Sequence, residues 1–294
     1  MRTHKKFWTQ EEKDLLGKVC NGTESFKTIA KKYFPNRTHM AVESACSVFG
    51  FKNDFDHRTY PPDDNFWSVP NENNSYWAGV MAADGCIYKD KGLKCRSFHW
   101  AISEVDLPLM NIFYKDAKLT CPIIRFQNTR DTGYVSKFIR VSVFSKQWME
   151  DFEKNFNLVP LKTQRLAPPE HLEEKLLWSY LKGYTDGDGC VRISRGKEHK
   201  TLVIEYASSS IEILHWIKRM TDLKFTSRRN YGREVHSSGN KHTFSIGGQA
   251  AIQMFLFLSK LPVPCLDRKW KNPEVLELVA KEVAARPEAY KDFV

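Results

Sequence analysis

Tyr76-Trp-Ala-Gly-Val-Met-Ala-Ala-Asp-Gly-Cys-Ile87 returns, 104 residues on (76 to 180), as Tyr180-Leu-Lys-Gly-Tyr-Thr-Asp-Gly-Asp-Gly-Cys-Val191. The leading Tyr, the central Gly and the closing Asp-Gly-Cys hold the same places in both copies. Such self-similarity marks a duplicated structural unit. The segments downstream of the two copies are also alike. After the first, apolar alternation and turn residues predict strands at 86–90 and 98–103, a helix over 107–119, strands at 122–128 and 134–143, and a helix over 146–156. After the second come strands at 190–195 and 201–207, a helix over 211–221, strands at 224–230 and 241–247, and a helix over 249–259. Each half reads helix, two strands, helix, two strands, helix. The expected class is α+β: two pseudo-symmetric αββαββα halves, each an antiparallel sheet with helices on one face.

Within the repeat, Gly79 and Ala83 lie four residues apart and share one helix face, as do Gly183 and Gly187. Residues this small let two helix backbones approach closely, so the two copies are expected to pair. Asp84 and Asp188 then stand at the C-terminal ends of the paired helices. There each faces the negative end of a helix dipole and the other carboxylate. Stability alone does not favour that arrangement; a bound cation would. Gly85 and Gly189 are expected as C-caps. Asp186 has no acidic counterpart at Ala82 and reads as structural. The plain alternative is that the Asp pair merely stops two helices.

The segments 77–85 and 181–189 resemble the LAGLIDADG motif of homing endonucleases, and the resemblance covers roughly 74–270. It implies saddle-shaped sheets and site-specific, metal-dependent hydrolysis of DNA. The expected product is a staggered double-strand break at a long asymmetric target. The resemblance implies Mg²⁺, with Mn²⁺ as a substitute, held by Asp84 and Asp188 and by the backbone carbonyls of Ala83 and Gly187. It also implies a basic residue late in each half. Lys162 lies 78 residues after Asp84, and Lys269 lies 81 after Asp188. A lysine there could stabilise transition-state charge or polarise the attacking water. Arg268 competes with Lys269 for that role.

Alternation assigns the sheet faces. Val191 and Ile193 are expected toward the helices, leaving Arg192 and Ser194 for DNA, with Tyr88 and Asp90 at the matching places of the first half. Ile124 and Phe126 are expected inward, leaving Arg125 and Gln127 for base edges. Arg228, Arg229 and Tyr231 are the corresponding candidates in the second half. Arg suits guanine and Gln suits adenine. Lys91, Lys94, Lys137, Arg195, Lys197 and Arg233 are expected as phosphate contacts.

The expected organisation is a three-helix module at 1–52, a linker at 53–73, halves at 74–170 and 171–270, and a helical tail at 271–294. In the front module, Thr9 and Glu12 have capping-box spacing ahead of Leu15, Leu16 and Val19. Further helices are expected over 25–34 and 38–49, the last with Met40, Val42, Ala45 and Val48 on its apolar face. Trp8-Thr9-x-Glu11-Glu12 and Arg37-Thr38-x-x-Ala41-Val42 resemble the Myb/SANT family, which implies a second DNA-binding element. Phe66 and Trp67 are expected to pin the linker to a surface.

The chain has 294 residues and a formal net charge of +10, spread along its length. Such an excess favours a polyanionic partner, here double-stranded DNA bound by a monomer. Seven cysteines without CxxC spacing predict reduced thiols in a cytosol-like or organellar compartment. No run of about 18 apolar residues suggests a membrane span. Two alternatives stay open: an RNA-binding intron maturase and a DNA-binding regulator that does not cut.

Overall fold

The computed structural model describes residues 7–56, 58–89, 96–195, 200–225 and 234–294. The chain divides into two compact units, 1–59 and 60–294.

The first unit is three helices, α1 (Gln10–Val19), α2 (Phe26–Tyr33) and α3 (His39–Phe49). Each starts at a hydroxyl cap: Thr9, reciprocated by Glu12, then Ser25 and Thr38. Gly50, left-handed at φ 75°, ends α3. The core holds Leu16, Ile29, Ala30, Phe34, Val42 and Ala45. Met40 and Val48, expected on the buried face of α3, are exposed instead. The buried stripe is Val42, Ala45, Cys46 and Phe49, spaced at three and four residues, and Met40 and Val48 fall off it. Cys20 and Cys46 meet in this core as a disulfide, which corrects the expectation of reduced thiols throughout. Cys86, Cys121, Cys190 and Cys265 are free.

The second unit contains the two halves. The first half runs α4 (Glu72–Asp84), β1 (Gly85–Lys89), β2 (Arg96–Ser103), α5 (Leu107–Asp116), β3 (Ile124–Thr129), β4 (Val135–Phe144) and α6 (Lys146–Phe156). The second runs α7 (Glu174–Gly187), β5 (Gly189–Arg195), β6 (Lys200–Ser208), α8 (Ile211–Lys224), β7 (His236–Ser238), β8 (Lys241–Gly247) and α9 (Gly248–Ser259). Then come α10 (Asp267–Trp270) and α11 (Pro273–Ala285). Both sheets are antiparallel with the same order, β1-β2-β4-β3 and β5-β6-β8-β7. Each half is αββαββα, as the repeat predicts.

Two boundaries differ from expectation, and the C-terminal tail, whose packing the sequence leaves open, is held against the second half. The stretch 60–71, expected as linker, belongs to the second unit. Trp67 is fully buried there, its ring 4.6 Å from that of Phe152 and 5.8 Å from that of Phe156. Asn155 fastens the strap by donating to the Trp67 carbonyl at 2.8 Å. The strand expected at 224–230 does not begin at 224. Helix α8 runs through Lys224, and Phe225 is buried between Trp178 and Phe257. The edge strand is the short β7. In the tail, Val275, Val279 and Tyr290 are buried, and the Gln253 amide donates to the Ala289 carbonyl at 2.8 Å.

Candidate active site

Helices α4 and α7 pack backbone to backbone. A Cβ on Gly79 would land on the Tyr180 carbonyl, and one on Gly183 on the Tyr76 carbonyl. One on Gly187 would strike the Ala83 methyl. The four small residues therefore lie on the seam between the halves, Gly79 and Gly183 against main chain and Gly187 against the Ala83 methyl. Gly85 is the C-cap of α4 as expected, though extended (φ −75°) and not left-handed, whereas Asp188 rather than Gly189 caps α7. A side chain at either place would hit the preceding helix turn, 2.6 Å from the Met81 carbonyl and 2.5 Å from that of Thr185.

This seam brings Asp84 and Asp188 together at the ends of the paired helices. Burial, and next the Asp188 charge, push the Asp84 carboxyl up to about 6, against the pull of Lys269, Lys162 and Arg268. Burial also raises Asp188, with Lys162 as the largest opposing influence. The electrostatic pairing is thus crossed. The cation felt most by each carboxylate comes from the other half: Lys269 for Asp84, Lys162 for Asp188.

Both lysines are buried, and burial lowers the pKa of each. Each ammonium is aimed at the last carbonyls of a motif helix, where positive charge meets the negative end of the dipole. Lys162 Nζ donates to the carbonyls of Ala82 (2.5 Å) and Ala83 (3.2 Å). Lys269 Nζ donates to those of Thr185 (2.8 Å), Asp186 (2.6 Å), Gly187 (3.1 Å) and Gly189 (2.5 Å). The two carbonyls expected as metal ligands, of Ala83 and Gly187, each carry a lysine bond on one of two lone pairs. Arg268 does not share the place of Lys269. Its guanidinium grips Asp106 of the first half at 3.0 Å.

Asp186 is buried and faces the protein, not the carboxylate pair. It accepts from the Tyr76 hydroxyl at 2.7 Å, from the Leu266 amide at 2.9 Å and from the Trp270 indole. It therefore ties α4 to the loop that carries Lys269. With Ala82 at the equivalent place, the counterpart hydroxyl of Tyr180 is buried without a partner.

A cleft of about 460 Å³ opens beside this centre, lined by Ala83, Lys162, Tyr184, Asp188, Ser209 and Lys241. A larger one, about 650 Å³, lies between α11 and the β5–β6 pair and contains neither carboxylate. Among the described residues no three His, Cys, Asp or Glu side chains cluster as a metal cage. The donor set is two carboxylates whose ionisation is costly without a cation. That fits a hard divalent ion whose remaining ligands are carbonyl, water or phosphate oxygens.

Strand register fixes which side chains lie on the open face of each sheet. Phe98, Trp100, Ile139, Val141 and Val143 are buried under the helices. Tyr88 pairs with Ser97, and Cys86 with His99, on the opposite, open side. In the second half Arg192 and Ser194 are likewise on the open side, and Arg192 is bonded to Glu205 at 2.9 Å. Strand β3 reverses the expectation. Arg125 lies opposite Ile139 and Gln127 opposite Lys137, so both are on the helix side, where Arg125 pairs with Glu104 at 3.1 Å. Ile124 and Phe126 lie opposite Arg140 and Phe138, on the open side. Apolar character misleads because β3 is an edge strand, and the core is already filled by β2 and β4. Arg140, which alternation along β3 does not single out, stands on that open face. Only the pairing partner of β3 reveals it.

Arg195 is engaged by Glu274 at 3.1 Å, and Lys137 is exposed in β4. Arg228, Arg229, Tyr231, Asp90, Lys91, Lys94, Lys197 and Arg233 lie outside the described residues.

Comparison with known proteins agrees with this geometry. Residues 176–256 match the sequence family described as the LAGLIDADG-like domain. No curated protein matches the sequence significantly. Among solved structures, the homing endonuclease I-WcaI bound to its DNA recognition sequence aligns at 14% identity with a TM-score of 0.53. The alignment covers 70% of this chain and 89% of that one. The I-LtrWI LAGLIDADG homing endonuclease bound to target DNA aligns at 16% identity and TM-score 0.48, covering 78% of this chain and 94% of that one. Residues 176–256 thus match the LAGLIDADG-like domain, and the two halves together have the fold seen in I-WcaI.

Proposed function

We propose that this protein is a DNA endonuclease that makes a double-strand break at a specific site. The observation that carries the reading is the seam. It assembles two mutually repelling carboxylates that reach solvent yet are costly to ionise, beside two buried lysines, where a fold needs neither. A divalent cation held by Asp84 and Asp188 would supply the charge and the polarised water for phosphodiester hydrolysis. Mg²⁺, with Mn²⁺ as substitute, suits such oxygen donors. Lys162 and Lys269 hold the helix ends and so position the carboxylates; their positive charge also favours an approaching phosphate. The pseudo-twofold seam provides one carboxylate per strand, which is what a staggered break requires. Both halves are in one chain, so a monomer suffices for an asymmetric target.

The front module is proposed as an accessory DNA contact. Lys27 and Lys31 are exposed on α2. Helix α3 has no Lys or Arg and exposes Glu43, so any base contact from it would use His39, Met40, Ser44, Ser47 or Val48.

The test is a cleavage selection on a randomised duplex library with Mg²⁺, beside an Asp84→Asn/Asp188→Asn variant. Defined breaks on both strands, absent in the variant, support the reading. Retention of duplex without any cut, in Mn²⁺ also, would leave a binding regulator, and RNA would be the ligand to try next.

A further inference from the structure

The open faces of the two sheets differ in chemistry, and the difference bears on what each half reads. In the second half the open face is mainly polar and carries no Phe, Tyr or Trp among the described strand pairs. Arg192 pairs with Glu205, and Ser194, Thr201 and Ser245 surround them, with Val203 as the one branched aliphatic side chain opposite Arg192. In the first half the same face is aromatic. Tyr88 is 55% exposed, Phe144 52% and Ile124 41%. Phe126 and Phe138 stack with ring centroids 5.4 Å apart. The Arg140 guanidinium lies 5.8 Å from the Phe126 ring, on the same open side. His99 is held between Ser97 and Ser142 at 3.0 and 2.8 Å, so its ring nitrogens are already engaged.

Exposed aromatic surface needs a partner. This one is interleaved with a guanidinium and small hydroxyls, and it begins at Tyr88 on β1, four residues after Asp84. The major groove offers one apolar group to such a surface, the C5-methyl of thymine. We infer that the first half reads its half-site largely through thymine methyl groups, packed on Phe126, Phe138 and Ile124, with Arg140 as its polar reader. The second half reads mainly by hydrogen bonds. The inference rests on the proposed endonuclease reading, and the experiment separates the two.

The full chain is equilibrated, without divalent cation, with two randomised duplex pools, one made with thymidine and one with deoxyuridine. Retained duplexes are sequenced and their affinities measured. The expected result is thymine enriched in one half-site only. Replacing those thymines by uracil then weakens binding about fourfold per methyl lost, and the same replacement in the other half-site changes nothing. Phe126→Ser/Phe138→Ser loses the discrimination between the bases, while Phe126→Leu, still apolar, retains it and shows that the fold is intact. Equal affinity for both pools, or methyl dependence in both halves, overturns the inference and leaves the endonuclease reading standing. Retention of neither pool overturns both, and the aromatic face would then belong to a protein partner.

Discussion

The Tyr76 hydroxyl donates to the Asp186 carboxylate at 2.7 Å across the seam, whereas its counterpart Tyr180 donates to nothing. The two hydroxyls are equally buried and differ only in the residue opposite, Asp186 or Ala82. They give an internal comparison. Removing a bonded hydroxyl leaves its acceptor short of a partner; removing an unbonded one abolishes a desolvation penalty. Tyr76→Phe is expected to cost about 1–3 kcal/mol, and Tyr180→Phe to be neutral or stabilising. Urea unfolding at constant slope checks both. Equal losses would show that the asymmetry is not energetic.

The seam predicts which glycines tolerate a methyl group. Gly79→Ala and Gly183→Ala each press a Cβ into the partner helix main chain, which cannot swing aside. Each is expected to cost about 3 kcal/mol, the upper end for overpacking. Gly247 is the control, because a Cβ there meets only the Val203 side chain at 3.8 Å and the Leu202 carbonyl at 3.9 Å, ordinary contact distances. Its Ala variant is expected within about 1 kcal/mol of the parent. Thermal unfolding of the three variants decides it.

Asp84 gives a pH dependence. Its carboxyl ionises at about 6 in the fold against an ordinary 3.8. The folded chain therefore binds the proton more tightly than the unfolded one, and stability is lost as pH rises through that window. Asp84→Asn is expected to gain on the parent between about pH 4 and 6 and to hold a constant advantage above. Melting curves in chelator across that range measure the difference. Mg²⁺ should then raise the melting point of the parent but not of Asp84→Asn/Asp188→Asn.

The lysines are predicted to be unequal. The three N–H groups of Lys269 are shared among four carbonyls within reach, whereas Lys162 reaches two. Lys269→Met is expected to cost about 2–3 kcal/mol and Lys162→Met about half of that. If both cost the same in denaturant, the extra bonds of Lys269 contribute nothing.

Much of the fold and of the carboxylate centre is legible in the sequence, for physical reasons that can be named. The repeat exposes the duplication, the small residues expose the seam, and the family resemblance points to Lys162 and Lys269. Other features depend on contacts distant in sequence. The face of β3 is set by its register with β4, not by its own alternation, so alternation puts Arg125 and Gln127 on the open side and overlooks Arg140. The role of Asp186 needs Tyr76, Leu266 and Trp270 brought to one point. The strap through Phe66 and Trp67 looks like a linker because these two anchoring rings are surrounded by Asp, Asn and Pro. Cys20 and Cys46 are 26 residues apart and meet only because α1 and α3 pack together.

Because Gly79 and Gly183 set main chain against main chain, the span between the two carboxylates belongs to a pair of backbones and not to side chains that can repack. It acts as a ruler. Strands, loops and their base contacts can drift in sequence and length on either side without moving it. On the proposed reading, a lineage of such proteins could change the word it recognises letter by letter while every descendant still cut with the same stagger.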